Sequence, residues 1–334
     1  MHSQYYFELT LTLDTEKFRK LLNRAKYKSK EEYESYSDND NFVDDTLASK
    51  GITVAYHDNS HKKKVKLTVN SNWILGDDAP DHDSIAKSLR KLNARISEYF
   101  KSKYSLNDFK LTQMGVILDI DVREQDKVPA YLKIFKKVGK VKGFSPSNDS
   151  RFDNDNCFCL EGNSNGITFL IYDLEKVVKD ELIETESKPK KLKSIAKKPE
   201  GLLRAEVWLT KAKAIRDFTN EAVASEQIAD LLKIRRKILL EIIPRVIPFG
   251  NFYKKNKAVE IIERKVTNRT LRRKMLRLLE LVPDKKSLLL AQKALNYRRI
   301  DDVMDMFASI DVSPVTISKR HDFKKLKNLY IYME

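Results

Sequence analysis

Glycine and proline are scarce, with 9 of each in 334 residues, so turns are few and the elements between them run long. Cysteine is scarcer still: Cys157 and Cys159 are the only two. Two thiols at i and i+2 are too close in sequence to staple a fold. With no further ligands spaced around them they do not make a zinc site. They read as small apolar strand residues in a reducing compartment. No apolar run approaches the roughly 20 residues of a membrane span. The opening MHSQYYFELTLTLD lacks the charged-then-apolar pattern of a signal peptide. The expectation is a cytoplasmic protein with no membrane partner. GxxxxGK(S/T) and GxGxxG are both absent, which argues against an ATPase or a dinucleotide enzyme. GxSxG is missing, and so is a His-hydrophobic-His metal motif. His57 and His61 are spaced HDNSH across a turn and read as solvated loop residues.

What the chain has is positive charge. The net charge is +16, and the hydrophobic fraction of 41% argues against disorder. From Lys188 onward Lys and Arg outnumber Asp and Glu about two to one, while the part before it is close to neutral. A basic portion joined to a neutral one suggests nucleic-acid binding attached to another activity. High lysine content from an AT-rich genome would not by itself produce that asymmetry.

Alternation and helical spacing then order the elements. FELTLTLD (7–14) reads as a strand, followed by a helix capped by Asp14 or Thr15. Residues 29–46 read as a polar loop. Strands at 51–58 and 63–75, a helix at 81–100 and a strand at 111–122 complete a β-α-β-β-α-β order. The order recurs from the strand 111–122: a helix at 128–138, a hairpin of 157–162 with 165–173, a helix at 174–186 and a strand at 202–210. After this the chain turns helical, with helices at 225–243 (capped by Ser225), 256–265, 268–282, 284–295 and 301–310. The segment DVMDMFASIDVSPVTISKRHDF has helix-turn-helix proportions, its second helix starting near Pro314.

The fold expected is α+β: two pseudo-repeated split β-α-β units form a mostly antiparallel sheet with one open polar face, followed by an all-helical domain. The domains expected are 1–215, as half-units of about 1–110 and 111–215, and a basic helical domain at 216–334.

The polar strand faces carry the chemistry. In LTQMGVILDID, Thr112, Met114, Val116, Leu118 and Ile120 share one face, and Gln113, Asp119 and Asp121 share the other. In GLLRAEVWL, Leu203, Ala205, Val207 and Leu209 oppose Arg204, Glu206 and Trp208. Asp119 and Asp121 stand about 7 Å apart at Cα. With Glu206 they are candidate ligands for Mg²⁺ or Mn²⁺. Any one of these acids alone reads better as an ordinary solvated residue, and it is their recurrence that points to a site. Arg204 would position a phosphate or pair with a neighbouring acid. Trp208 would stack on a base or cover the sheet. Tyr172, ending the strand ITFLIYDLEK, is the candidate nucleophile. A tyrosine attacking a DNA phosphodiester conserves the bond energy, so rejoining needs no ATP. Most of the 14 tyrosines must be structural, Tyr131 by its core spacing among them; Tyr99, Tyr104 and Tyr253 also compete. In the tail, Arg235-Arg236-Lys237, Lys254-Lys255, Arg272-Arg273-Lys274 and Lys319-Arg320 suit phosphate contacts, as does Arg298-Arg299. Solvated helix faces account for some of these clusters.

The order "DID, helix, IYDLEK, basic linker, LRAEV" resembles the initiators of rolling-circle replication from plasmids and from filamentous or Firmicute phages, of the replication-initiation-factor and gene-II type. The resemblance runs over about residues 105–215 and rests on Asp119 and Asp121, on Tyr172 in IYDLEK, and on Arg204 with Glu206. Leu174 stands where that family often has lysine; the basic residue comes at Lys176. The resemblance implies site-specific nicking and rejoining of one DNA strand with a divalent metal. The partners that follow are double- and single-stranded origin DNA, a second copy of the chain, and a host helicase. Two alternatives stand beside it. One is a DNA-binding replication or partition protein of a mobile element that does not cut. The other is an accessory protein whose charge is compositional only.

Overall fold

The computed structural model describes residues 6–28, 41–59, 62–70, 82–152, 154–184 and 200–333. In chain order the elements are β1 (Tyr6–Leu13), α1 (Thr15–Lys28), β2 (Asn41–Asp44), β3 (Ile52–Asn59), β4 (Lys62–Asn70), α2 (His82–Tyr99), β5 (Lys110–Asp121), α3 (Lys127–Val138), β6 (Phe144–Pro146), β7 (Cys157–Gly162), β8 (Ile167–Asp173), α4 (Leu174–Glu184) and β9 (Leu202–Leu209). Then follow α5 (Ala212–Arg216), α6 (Ala224–Lys233), α7 (Arg235–Val246), β10 (Phe252–Tyr253), α8 (Lys255–Lys265), α9 (Arg269–Lys285), α10 (Leu288–Leu295), α11 (Ile300–Ser309) and β11 (Lys325–Leu326). Nine strands form one sheet in the order β2-β3-β4-β1-β5-β9-β8-β7-β6. The mixed α+β class, the large and mostly antiparallel sheet and the helical C-terminal region follow the expectation. Among the described residues no helix is long and apolar enough to cross a membrane.

The chain divides into two compact units: Met1–Ile117 with Asn165–Ile167 and Trp208–Ile238, and Leu118–Ser164 with Thr168–Val207 and Leu239–Glu334. In the first, β1 lies between β4 and β5 and is antiparallel to both. This is the split β-α-β arrangement. Phe7, Leu9, Leu11, Val65, Leu67 and Val69 are buried, while Glu8, Thr10, Lys66 and Thr68 between them are half-exposed. Asp14 caps α1, accepting the Lys17 amide at 2.8 Å. The pairing of β1 with β5 shifts register after Glu8, so Leu9 faces Leu111 and Glu8 faces Gln113. This bulge corrects the expected face of Thr112. Leu111 takes the core position, and the Thr112 hydroxyl lies 3.1 Å from that of Thr10.

A second correction is β2, which falls within the expected loop 29–46. Its Phe42 and Asp44 pair with Tyr56 and Val54. Asp44 is buried because Tyr99 Oη donates to it at 2.5 Å and the Thr46 amide at 2.9 Å. Residues 29–40 of that loop, residues 71–75 of the expected strand, His61 and the basic stretch 188–199 lie outside the described residues.

The second half keeps the element order of the first and places its strands differently, with β9 between β5 and β8. The expected helix 225–243 is two helices, broken at Ile234, and Ser225 lies inside the first turn of α6 with Val223 as its N-cap. No helix starts at Pro314. Val312 to Ile317 are buried, and Val312 and Ile317 bridge to Asn251 and Lys254 as extended chain. The β-branched residues Val312, Val315, Thr316 and Ile317 favour that backbone over a helix.

Candidate functional site

The residues singled out by strand alternation belong to β5, β8 and β9 in the second unit. β5 and β9 run antiparallel here: Val122 N–H donates to Gly201 O at 2.9 Å, and three residues away along each chain Asp119 meets Arg204. The polar face is closed at this point, since Asp119, Arg204 and Glu206 are 6%, 5% and 7% exposed. Burying these charges is costly unless they are paired. Arg204 supplies the pairing as a fork, with Nε donating to Asp119 Oδ1 at 2.6 Å and Nη2 to Oδ2 at 2.8 Å. Burial works to lower the Arg204 pKa, but the hydrogen bonds and charge of Asp119 outweigh it and hold the pKa above its ordinary value.

Tyr172 stands beside this pair. Its Oη donates to Glu206 Oε1 at 2.6 Å. Burial pushes the phenol pKa up, the Glu206 charge adds to that, and Arg204 opposes it. The ring packs against the Cys157, Cys159 and Leu170 cluster, with Cys157 its direct cross-strand neighbour. That arrangement explains the two cysteines as apolar strand residues. Burial also raises the Cys159 thiol to about 12, far from a reactive thiolate.

Asp121 does not join the group. It lies at the exposed end of β5, where its Oδ1 accepts the Arg123 amide at 2.7 Å. Among the described residues, no three His, Cys, Asp or Glu side chains gather in a way that would hold a metal ion. Trp208, in the first unit, lies over Gly115 and stacks with Tyr6.

Two positioning residues escaped the sequence reading. Asp173 is 1% exposed; its Oδ1 accepts the Lys176 amide as the cap of α4 and its Oδ2 accepts Gln125 Nε2 at 3.0 Å. Gln125 Oε1 in turn accepts the Gly201 amide at 2.6 Å. The residue after Tyr172 is thereby fixed to the start of β9. An acid placed immediately before a helix was the available signal; its bond to Gln125 joins residues far apart in sequence and had none. Of the competing tyrosines, Tyr131 is fully buried with its Oη on the Lys327 carbonyl at 2.7 Å, and Tyr99 holds Asp44.

The tail basic residues lie apart in chain position. Arg236 and Lys237 are exposed at the start of α7, where Arg235 Nη1 donates to Leu232 O at 2.9 Å. Lys254 caps α8 and Lys255 opens it. On α9 Arg273 is exposed, Arg272 reaches the Glu263 carbonyl, and Lys274 sits 5.1 Å above the Tyr297 ring. Lys319 and Arg320 are exposed on a turn. His321 follows them, near Lys133, Lys137 and Lys254, whose charges help lower its pKa after burial, the largest cause.

No protein family's profile matches the chain, and no curated protein does. Among solved structures it is similar to the rolling circle replication initiator protein from Geobacillus stearothermophilus, at 10% identity over 73% of this chain and 85% of that one, with a TM-score of 0.33.

Proposed function

We propose that the chain binds a replication origin of a plasmid or phage and nicks and rejoins one DNA strand through Tyr172. The support is this chain's own side chains. The observation that carries the reading is the 2.6 Å hydrogen bond from Tyr172 to Glu206, next to the Arg204–Asp119 pair. A phenol is a weak nucleophile until a base takes its proton. Glu206 is that base. As Tyr172 Oη bonds to phosphorus, its proton passes to Glu206. The bond from phosphorus to the 3′ oxygen breaks, and that oxygen takes a proton from solvent. The product is a 5′-phosphotyrosine and a free 3′ hydroxyl, and the reverse sequence rejoins the strand. Asp119 holds the Arg204 guanidinium in place, where it offsets charge developing on the phosphoryl oxygens.

The divalent ion expected from the acids fits this arrangement poorly. Asp119 gives both oxygens to Arg204, Glu206 gives one to Tyr172, and Asp121 is engaged with the Arg123 amide. The cationic role therefore goes to Arg204, and no step runs through an ion.

A second reading has its own observation. Burial and the Glu206 charge raise the Tyr172 pKa and disfavour the phenolate. That suits a protein that binds the origin and leaves it uncut. Supercoiled plasmid carrying the cognate origin separates the two. Nicking by the wild type and none by Tyr172→Phe is the expected result. Nicking that persists in Tyr172→Phe removes this tyrosine as nucleophile. Origin binding without nicking by the wild type establishes the second reading.

A further inference from the structure

We propose that the polar face of the sheet in the first unit is a platform for single-stranded DNA, with Trp208 and Tyr6 as its base-stacking surface. That the strand is DNA rests on the function proposed above; the platform itself rests on the geometry that follows.

The register lays this face out as a grid. Thr10 stands between Lys66 and Lys110, Glu8 between Thr68 and Gln113, and Tyr6 between Asn70 and Gly115. Thr12 faces Lys64, and Lys64 faces His57. The face thus carries four lysines, Lys62, Lys64, Lys66 and Lys110, against one glutamate. That glutamate, Glu8, is tied to Lys66 at 2.7 Å. Lys64 and Lys110 form no ion pair among the described residues, and Lys110 is exposed. The opposite face is the one buried in the core.

The aromatic pair lies at one end of the grid. The Trp208 ring lies flat on the backbone of β5, because Gly115 has no side chain to hold it off. A Cβ at Gly115 would meet three ring atoms at 3.0 to 3.1 Å. Gly115 is not among the residues with positive φ, so the backbone does not require glycine there and the ring above it does. The Tyr6 ring stacks beside it, centroids 6.2 Å apart and planes inclined by 24°. Both residues are half-exposed. Two rings held nearly parallel and left partly open, at one end of a face whose Lys64 and Lys110 form no ion pair among the described residues, match the two needs of a single strand: π-faces for bases and cations for phosphates. A duplex keeps its bases stacked inside and is read by elements that enter a groove, which a broad sheet face does not do.

The test uses the full chain carrying Trp73→Phe, which leaves Trp208 as the only tryptophan of the original two. Titration with a twelve-nucleotide oligo(dT) should quench its fluorescence. Tyr6→Leu, Lys64→Glu and Lys110→Glu, each checked for an unchanged melting temperature, should each weaken binding about fivefold or more. Each lysine variant should also lower the slope of log affinity against log salt by about 0.7. An abasic strand of equal length should bind worse than oligo(dT), and a duplex should not quench. The proposal is overturned if Trp208 is not quenched, if both lysine variants bind within about twofold of the parent, or if the abasic strand binds as well. Tyr172→Phe separates this from the nicking reading. It should bind oligo(dT) like the parent while failing to nick. Nicking that persists alongside absent oligo(dT) binding would sink the platform alone.

Discussion

The Tyr172 hydroxyl donates to the Glu206 carboxylate at 2.6 Å, so the candidate nucleophile and its proton acceptor are already in contact. Two consequences follow. Tyr172→Phe should abolish nicking, and by removing a hydrogen bond to a buried carboxylate it should also cost about 1–3 kcal/mol in urea unfolding. The pH profile is the sharper check. Burial, then the Glu206 charge, pushes the Tyr172 pKa above its ordinary value of 10.0. The nicking rate should therefore show no alkaline rise near that pH. A rise there would mean that a tyrosine with an ordinary pKa is doing the attack.

The Asp119–Arg204 fork yields a prediction about both stability and ions. Arg204→Met leaves Asp119 buried without its counter-charge and should destabilise by about 3–5 kcal/mol. The double variant Asp119→Leu with Arg204→Met removes both charges and should recover most of that loss. On the proposed mechanism, in which Arg204 supplies the cation, nicking of origin plasmid should persist in excess chelator. If chelator abolishes nicking by the wild type and Mg²⁺ or Mn²⁺ restores it, the assignment of the cationic role to Arg204 fails.

These two pairs show what could be read from the chain beforehand. Alternation alone placed Asp119, Arg204 and Glu206 on polar strand faces, since period two is a local property. Which of them meet is set by strand order and register, and these are not local. Asp119 and Asp121 share a face, yet only Asp119 finds a partner on β9, because the strand ends at Asp121 and turns away through Arg123, whose φ is +72°. The bulge that moves Thr112 off the core face has no local signature either. The helices α8, α9 and α11 were legible because their apolar spacing is sustained over two or more turns. β2 has only four residues and derives its structure from pairing with β3. The extended segment from Val312 to Ile317 follows the same logic, held by bridges to Asn251 and Lys254 that no window of sequence contains.

Histidine gives a pH dependence of stability that is separate from any activity. Among the described residues, His57 and His321 each have a buried Nε2 with no hydrogen-bond partner. Burial first, then Lys66 and Lys64, lowers the His57 pKa from 6.5; burial, then Lys133 and Lys137, lowers that of His321. Both groups bind a proton less readily folded than unfolded. Their contribution is therefore present above pH 6.5 and is lost as pH falls below it through the folded values. The urea midpoint should fall between about pH 7.5 and pH 5.5. It should fall less in the double variant His57→Gln with His321→Gln. An equal fall in that variant would assign the effect to other groups.

The tail fold depends on a crossing of backbones at Gly250 and Val312. Gly250 has φ +89°, and a Cβ there would collide with the Val312 backbone carbonyl. Both the left-handed backbone and the backbone contact exclude a side chain. Asn328 locks the same crossing: its Nδ2 donates to Pro248 O at 2.9 Å and Gly250 O at 2.8 Å, while its amide donates to Asn251 Oδ1 at 2.8 Å. Gly250→Ala should destabilise by more than about 3 kcal/mol, combining strain and overpacking. Asn328→Ala should cost about 2–4 kcal/mol, because two buried carbonyls lose their donor. The two costs should not add in the double variant, since each change opens the contact the other relies on. Additive losses in chemical denaturation would show that the glycine and the asparagine act independently.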